Sequence, residues 1–407
     1  MIRRFLNYIR KVYHFDRLSQ QAGDGRSEPE IASQALWQSL AVLFALRLGS
    51  GNALEQLIRD PSKRAAWKHR LGDGPPSADC VSYYTERLSV ASLRQALKSV
   101  YQNLQRNHHL ARTRLGGWSV LVLDAHELFA SYQVHCEACC QRRIHTKRGD
   151  RIQYYHPVVV AYRFTARRVV VLDVELQQAG EDEVATALRL LERIQQQYPK
   201  AYDVLCGDAQ YLDPRILAFL RAHRKHLVAT LKEDHPALLA EVRALCELVS
   251  PSLHQQGKRH CLWWDLPLVT SGTTAQQGLR VVRSLETYPQ QGQLCTSEWV
   301  WATTFSSSEA STEQTWNFGH HRWDIENRVY NYLVTYYGFD HNFHHHPNAI
   351  LVFVLMACLI YMLVSLFYHL NCKAPLRDRF NLTTVSRQFL IGLDSWLTAP
   401  EPNALPP

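Results

Sequence analysis

The 407-residue sequence lacks the features of a secreted or fibrous protein. Its ten cysteines do not form the dense framework of a small disulfide-bonded scaffold, so we expect reduced thiols. Residues 1–18 are basic and aromatic and lack the uninterrupted apolar segment of a signal peptide. There is no internal repeat and no sustained heptad pattern. These absences leave a folded cytosolic protein as the expectation.

Charge of either sign is modest. Charged residues make up 20% of the chain and hydrophobic residues 46%, which is typical of an ordinary folded protein. Lys and Arg number 45 against 37 Asp and Glu, so the formal net charge is +8. That excess suits a polyanionic partner, but it is too common to identify one. The basic N-terminus fits a helix on DNA or on a membrane, and equally a solvated helix.

One apolar run is long enough to be considered as a membrane span. It covers Ile350–Phe367, and Ser365 is its only clearly polar residue. The run is single, short for a span, and preceded by three histidines and Pro347. A helix that is apolar on all sides also suits the centre of a large soluble core. We interpret it as a core helix, with a single-span membrane protein as the alternative.

The periodicity of apolar residues predicts helices in residues 1–110, followed by a mixed α/β region. After Gly116-Gly117, the predicted order is strand, strand, strand, helix, strand, helix, strand. The corresponding segments are Trp118–Leu123, Tyr154–Phe164, Val169–Leu176, Glu181–Tyr198, Tyr202–Cys206, Pro214–His223 and Leu227–Leu231. This order predicts a mixed sheet with helices on its faces, as in the RNase H-like fold. Residues 233–305 then contain further strand-like pieces.

Three acids stand where such a fold would use them. Asp124 is predicted to end the first strand, Asp208 follows a later strand, and Glu326 lies in a C-terminal helix. Cleaving or exchanging a phosphodiester requires stabilisation of both the attacking and the leaving oxygen, which two Mg²⁺ ions can supply. Mg²⁺ prefers a few carboxylates. The sequence therefore predicts a catalytic Mg²⁺ site, with Mn²⁺ able to substitute, at Asp124, Asp208 and Glu326.

Two further side chains are predicted on the helix face of Glu326. Arg322 precedes it by four residues and Tyr330 follows it by four, so all three share one face. A guanidinium at this position can hold a phosphate, which makes Arg322 and Tyr330 candidate DNA contacts. The alternative for Arg322 is an ordinary ion pair with Glu326 on a solvated helix.

The residues around these acids resemble a known family. Gly319-His320-His321-Arg322-Trp323-Asp324-Ile325-Glu326-Asn327 and residues 339–349 resemble the C-terminal signature of bacterial insertion-sequence transposases. The stretches ending at Asp124 and surrounding Asp208 look like the two aspartate motifs of these DDE enzymes, and Leu231-Lys232-Glu233-Asp234 resembles their strand and turn. The resemblance covers about residues 30–370 and implies an RNase H-like core with a β-strand insertion.

The resemblance also implies a function and a domain organisation. We expect a DNA transposase that cuts the terminal inverted repeats of a mobile element and joins them to target DNA. It would act as a homodimer in the bacterial cytoplasm, associated with the nucleoid and not with a membrane. The expected domains are a DNA-binding helical domain (1–110), the core (111–232 and 306–370), a β-rich insertion (233–305) and a tail (371–407). Alternatives are a nuclease without strand transfer and an inactive DNA-binding derivative.

Two positions depart from the pattern of better-known relatives. Those proteins place a Tyr three residues before the Arg and a Lys or Arg seven residues after the Glu. Here these positions hold Gly319 and Leu333. The departures weaken the expectation of a hairpin intermediate and leave the three acids unaffected.

A short segment near residue 140 offers a second, weaker site. It contains Cys136, Cys139 and Cys140, with His145 nearby, which we consider as possible zinc ligands. Since no second Cys-x-x-Cys is present, a chance pair is the alternative.

A basic run follows the cysteines. Its members Arg142, Arg143, Lys147 and Arg148 are candidate contacts to the DNA backbone, although a solvated hairpin explains them equally well. We interpret Lys232 and Asp234 as structural residues.

Overall fold

The computed structural model describes residues 1–71, 76–147, 149–270 and 278–398. Within these ranges ten strands form one mixed sheet. The strands are β1 (Val120–Ser131), β2 (Cys140–Thr146), β3 (Gly149–Arg163), β4 (Val171–Leu176), β5 (Val204–Gly207), β6 (His226–Thr230), β7 (Ser252–Gln256), β8 (Arg259–Val269), β9 (Leu279–Gln290) and β10 (Gln293–Thr303).

Helices precede, interrupt and follow the sheet. They are α1 (Ile2–Tyr13), α2 (Phe15–Gln20), α3 (Ser33–Ala45), α4 (Gly51–Arg59), α5 (Arg64–Leu71), α6 (Ala78–Arg87), α7 (Val90–Arg106), α8 (Glu183–Gln197), α9 (Pro214–Ala222), α10 (Pro236–Leu248), α11 (Thr312–His321), α12 (Asn331–Tyr337), α13 (Pro347–Leu366), α14 (Ala374–Arg379), α15 (Leu382–Ile391) and α16 (Leu393–Thr398). The predicted helical N-terminal region is therefore confirmed.

The central part of the sheet has the strand order β4-β3-β1-β5-β6. β1 and β4 pair with β3 in antiparallel fashion, whereas β5 lies parallel to both β1 and β6. This mixed arrangement confirms the predicted α/β fold with an RNase H-like core. β2 was not predicted, because most of its side chains are polar and exposed and it contains no apolar run.

The segment predicted as an insertion extends this sheet. It contributes α10 and four strands, β7 to β10, of which β10 pairs antiparallel with β6. The sheet then continues through β9 and β8 to β7. The insertion is thus hydrogen-bonded to β6 at the edge of the core strands, and its strands β9 and β10 contact α11.

Helix α13 occupies the middle of the protein. It contains nearly all of the apolar run considered as a membrane span. Of its most apolar stretch, 94% is buried within the fold. Helices α3, α6 and α7 pack against it, and β4 covers another side. Its lack of a polar face follows from this position, because every side of the helix contacts protein.

The terminal helices join the same core. In α1 the side chains of Ile2, Phe5 and Ile9 are buried, while its basic residues point outward. Helices α15 and α16 pack against α1, and α16 also contacts α5. Residues after 371, expected to form a tail, are therefore mostly helical and docked up to residue 398.

Because the surface of α13 is covered by protein, we predict that the chain purifies without detergent. The measurement is fractionation of expressing cells followed by a high-salt wash of the membranes. We expect the protein in the soluble fraction, as a species that does not bind micelles. Retention in the washed membranes, with release only by detergent, would contradict this assignment of α13.

Candidate functional site

Two of the predicted acids are placed side by side by the register of β1 and β5. The last parallel pair joins Val122 to Cys206, and Asp124 and Asp208 each follow two residues later. Because side chains alternate along a strand, both acids emerge on the same face, from strands roughly 4.8 Å apart. Asp208 also accepts a hydrogen bond from the backbone N–H of Gln210 at 3.0 Å, which fixes its carboxylate at the end of β5.

The position of Asp124 differs from the prediction. Asp124 does not end its strand, because β1 continues to Ser131 and Asp124 itself pairs with Val160 of β3. The strand pairing to β5 stops before Asp124, however. At Asp124, the edge of β1 that faces β5 is therefore not paired with another strand of the described residues. This leaves space for a site beside Asp124.

Glu326 comes from an irregular helical segment and not from the continuous helix that was predicted. Helix α11 ends at His321, and a π-helical turn covers Glu326–Tyr330 before α12 begins. Such π turns shift side chains out of α-helical register and are frequent at functional sites. The Tyr330 hydroxyl donates a hydrogen bond of 2.5 Å to the backbone carbonyl of Asp124. The turn that carries Glu326 is therefore fastened to β1.

The three acids influence one another electrostatically. The pKa of Asp124 is raised from 3.8 to about 6, mainly because the carboxyl is buried. Arg322 opposes this shift, with Nη1 3.6 Å from Oδ1 of Asp124, whereas the charges of Asp208 and Glu326 reinforce it. The structure thus brings together the three acids that the sequence singled out.

Two predicted DNA contacts lie below the surface. Arg322 is 4% exposed and Tyr330 is 1% exposed. The Arg322 guanidinium lies over the Trp323 ring and faces Asp124. Both side chains contact Asp124 in this structure, and their contact with DNA phosphate stays a prediction.

Two further charged residues lie beside these acids: Lys232, which was interpreted as structural from the sequence, and Glu183, which was not singled out. The ammonium of Lys232 lies 3.8 Å from Oδ2 of Asp208, and its side chain is 47% exposed. Glu183, the first residue of α8, has a pKa raised to about 7, mainly by burial and further by the charges of Asp208 and Asp124. An acid in the first turn of a helix is usually explained by the helix dipole. Only the tertiary structure shows that Glu183 faces the other carboxylates.

The basic run lies on the hairpin formed by β2 and β3. Arg142 forms two hydrogen bonds, of 2.7 and 2.9 Å, to the Glu127 carboxylate and is thereby neutralised. Arg143 and Lys147 are exposed, and Arg143 is 3.8 Å from Asp150. Arg148 lies outside the described residues. Of the predicted backbone contacts, Arg143 and Lys147 remain available on the surface.

The two departures from the family pattern have structural causes. A Cβ atom at Gly319 would lie 2.1 Å from Nε1 of Trp301, so the indole occupies the space that a side chain would need. Leu333 is buried in the core and cannot reach a nucleic acid. The two positions therefore lack the Tyr and the Lys or Arg of the family pattern.

The cysteine-rich segment forms a cluster, but not with the predicted members. Cys136 and Cys139 lie beside His156 and His345, and the possible ligand atoms are all within 4.8 Å of one another. Cys140 instead directs its thiol towards the Gln178 carbonyl, 3.7 Å away, and His145 hydrogen-bonds to Asp150 at 2.7 Å. Cys140 and His145 are therefore not part of the group.

The side chains around Asp124 are of the type that binds hard divalent cations. Carboxylate oxygens from Asp124, Asp208, Glu326 and Glu183 are the ligand type that Mg²⁺ prefers. The pKa values of Asp124 and Glu183 are raised mainly by burial; neighbouring carboxylates raise them further, and this negative charge is only partly balanced by Arg322 and Lys232. A bound cation would remove that imbalance.

Comparison with known proteins relates the chain to a protein family. Residues 120–363 match the family model described as a transposase DDE domain. The matched range contains Asp124, Asp208 and Glu326, together with the strands of the insertion. No curated protein matches the chain.

Proposed function

This chain belongs to the family of proteins that carry a transposase DDE domain, and on that basis we propose that it is a DNA transposase. In this proposal it cleaves phosphodiester bonds at the ends of a mobile element and joins the freed 3′-hydroxyls to target DNA. Transposases of this family depend on divalent metal ions. The proposal assigns Mg²⁺, with Mn²⁺ as a substitute, to Asp124, Asp208 and Glu326.

The observation that carries the proposal is the convergence of carboxylates from separate elements at the open edge of β1. Asp124 comes from inside β1, Asp208 from the end of β5 and Glu326 from a π turn. Burial, and further the charges of Asp208 and Glu326, raise the pKa of Asp124, so an ionised Asp124 costs stability and a bound cation would offset that cost. When bound, divalent ions stabilise charge on the attacking and leaving oxygens of a phosphodiester.

The remaining residues of the site have distinct proposed roles. Tyr330 and Arg322 orient Asp124, one through its backbone carbonyl and the other through its carboxylate. Lys232 is half exposed beside Asp208, where its ammonium is placed to contact a substrate phosphate. Glu183, buried beside Asp208 and Asp124, is proposed to add a carboxylate to the same site.

DNA binding is proposed to use the exposed cations of the β2–β3 hairpin. Each cation that neutralises a phosphate adds about 0.9 to the slope of log affinity against log salt concentration. We therefore predict that Arg143→Ala combined with Lys147→Ala reduces this slope by about 2 and weakens binding at low salt. The measurement is the affinity for duplex DNA across a salt series.

A matched control is Lys200→Ala. Lys200 is also exposed, but it precedes β5 and so lies at the opposite end of the strand from Asp208. We expect its slope to equal that of the unmodified protein. An unchanged slope in the hairpin variant would show that this surface does not contact DNA.

The function itself is tested with duplexes that carry the DNA flanking the gene. Incubation with Mg²⁺ and a supercoiled target should give both cut ends and products joined to the target. Cutting without joining would favour the alternative of a nuclease without strand transfer. Binding without cutting would favour an inactive derivative. The proposal further places the protein as a homodimer on paired ends, in the cytoplasm near the nucleoid.

A further inference from the structure

We propose that Cys136, Cys139, His156 and His345 form a structural zinc site that is separate from the carboxylate site. The four side chains come from three parts of the chain. Cys136 and Cys139 lie in the turn between β1 and β2, His156 is in β3, and His345 precedes α13. The pair Cys-x-x-Cys was visible in the sequence, but both histidines are distant from it along the chain.

The spacing of the donor atoms matches a tetrahedral zinc ion. With zinc bonds of about 2.3 Å to sulfur and about 2.05 Å to nitrogen, the ligand atoms should be about 3.8 Å apart for two sulfurs and about 3.3 Å for two nitrogens. The observed separations are 3.8 Å between Sγ of Cys136 and Sγ of Cys139, and 3.3 Å between the Nε2 atoms of His156 and His345.

The mixed pairs agree as well. A sulfur and a nitrogen on the same ion should be about 3.6 Å apart. Sγ of Cys139 lies 3.2 Å from Nε2 of His156 and 3.3 Å from Nε2 of His345, and Sγ of Cys136 lies 3.4 Å from Nε2 of His156. Four donors therefore converge on one point.

The surroundings favour zinc over a hydrogen-bonded cluster without metal. Cys139 and His156 are buried, and the two negative charges of two thiolates balance the charge of a divalent ion, which suits a buried position. The Cys136 N–H donates to Sγ of Cys139 at 3.2 Å, as expected for a thiolate ligand. The Asn342 side-chain amide lies 3.2 Å from Nδ1 of His345. With its oxygen facing the ring it would accept the Nδ1 proton and leave Nε2 free for a metal.

The position of the site indicates what it would do. It would connect the far end of β1, which also carries Asp124, to the segment that leads into α13. Phe129 of β1 contacts both histidine rings beside it. A zinc ion there would hold the strand and the C-terminal helices together, and so would support the carboxylate site without touching DNA.

The experiment measures metal in the full-length, untagged protein purified without chelators. We expect about one zinc per chain by mass spectrometry of the metal content. X-ray absorption should show two sulfur and two nitrogen ligands. Replacement by Co²⁺ should give the intense visible bands of tetrahedral cobalt thiolate.

Variants separate this site from the residues that only neighbour it. Cys139→Ser and His345→Gln should each weaken zinc binding at least about tenfold in competition with a chelator, since even outer-shell changes cost that much affinity. Cys140→Ser, His145→Gln and Asp208→Ala should retain zinc. Asp208→Ala removes a carboxylate of the proposed catalytic site and leaves the zinc ligands intact. Zinc content and DNA cleavage are therefore measured separately, and failure of the zinc proposal can be told from failure of the transposase proposal.

Three outcomes would overturn the zinc proposal. The first is unmodified protein that holds no zinc after growth in zinc-supplemented medium. The second is an oxygen-rich ligand set, or a Cys136–Cys139 disulfide in place of metal. The third is unchanged zinc binding by the Cys139→Ser variant in competition with the chelator. The first two need no variant, so they remain decisive if a variant does not fold.

Discussion

Replacing Asp124 or Asp208 with alanine is expected to lower the rate of DNA cleavage by about a thousandfold or more. The two carboxylates emerge from neighbouring strands at the open edge of β1, and both are proposed to hold a divalent ion. Losing either should displace an ion and remove several kcal/mol of transition-state stabilisation. Binding to the ends should persist, because the exposed cations of the hairpin are unchanged. The measurements are single-turnover cleavage and the affinity of each variant for the same duplex.

A matched control for this loss is Asp234→Ala. Asp234 is an exposed acid two residues after Lys232 and is not among the groups that shift the pKa of Asp124. Its variant should cut at the normal rate. Equal losses in Asp234→Ala and Asp208→Ala would show that general folding, and not the carboxylate site, is being measured.

The second large effect concerns stability in the absence of metal. Asp124→Asn should stabilise the metal-free protein at pH 8 by up to about 3 kcal/mol, the free energy that corresponds to raising a pKa from 3.8 to about 6. The physical reason is that folding buries the ionised carboxylate beside Asp208 and Glu326, which Arg322 compensates only in part. Thermal or denaturant unfolding in a chelating buffer measures the difference.

The raised pKa of Asp124 also determines how the stability of the metal-free protein depends on pH. Below about pH 4, Asp124 is protonated in both folded and unfolded chains and has no effect on their balance. Between about pH 4 and 6 the unfolded chain loses this proton first, so the stability of the metal-free protein should fall as pH rises. Above pH 6 the loss is complete for Asp124, while Glu183 should extend the decline to about pH 7.

Two comparisons check the origin of the effect. The gain from Asp124→Asn should vanish near pH 4, and Asp234→Asn should give no gain at any pH. Adding Mg²⁺ at pH 8 should stabilise the unmodified protein, because an ion that binds only the folded state shifts the equilibrium, but not the Asp124→Asn variant. Destabilisation by Asp124→Asn at pH 8 would contradict a repulsive cluster of acids.

Much of the fold could be predicted from the sequence because the core strands carry a clear signal. β1, β3, β5 and β6 each contain a run of buried apolar residues, β4 combines buried apolar residues with two buried acids, and α8 has one apolar face. β2 carries mostly polar side chains, so it had no such run. The π turn at Glu326–Tyr330 was also invisible, because the apolar residues around it still recur at nearly helical spacing.

The site was predicted as far as local sequence allows. Asp124 and Asp208 were found because polar residues next to buried strands are conspicuous, and Glu326 because its neighbours form a specific motif. The burial of Arg322 and Tyr330 could not be foreseen, since it depends on Trp323 and on the backbone of Asp124. Likewise Glu183 becomes notable only when α8 packs beside β1 and β5.

The members of the cysteine cluster likewise could not all be predicted from the sequence. Proximity in the sequence favoured Cys140 and His145 as partners of Cys136 and Cys139. In a strand, however, Cys140 points away from the turn, and His145 lies further along the exposed hairpin. The actual neighbours, His156 and His345, are brought in by strand pairing and by the chain leading into α13.

The most direct test of the central claim is the cleavage rate of Glu326→Gln in Mg²⁺. The substitution keeps the size of the side chain and removes only its charge, and Glu326 lies on the π turn that Tyr330 fastens to Asp124. Glu313→Gln, an exposed position at the start of α11, is the control. With a labelled duplex carrying the ends of the element, the account predicts normal cutting by the control and at most about a thousandth of that rate by Glu326→Gln. Cutting by Glu326→Gln at the rate of the unmodified protein would contradict it.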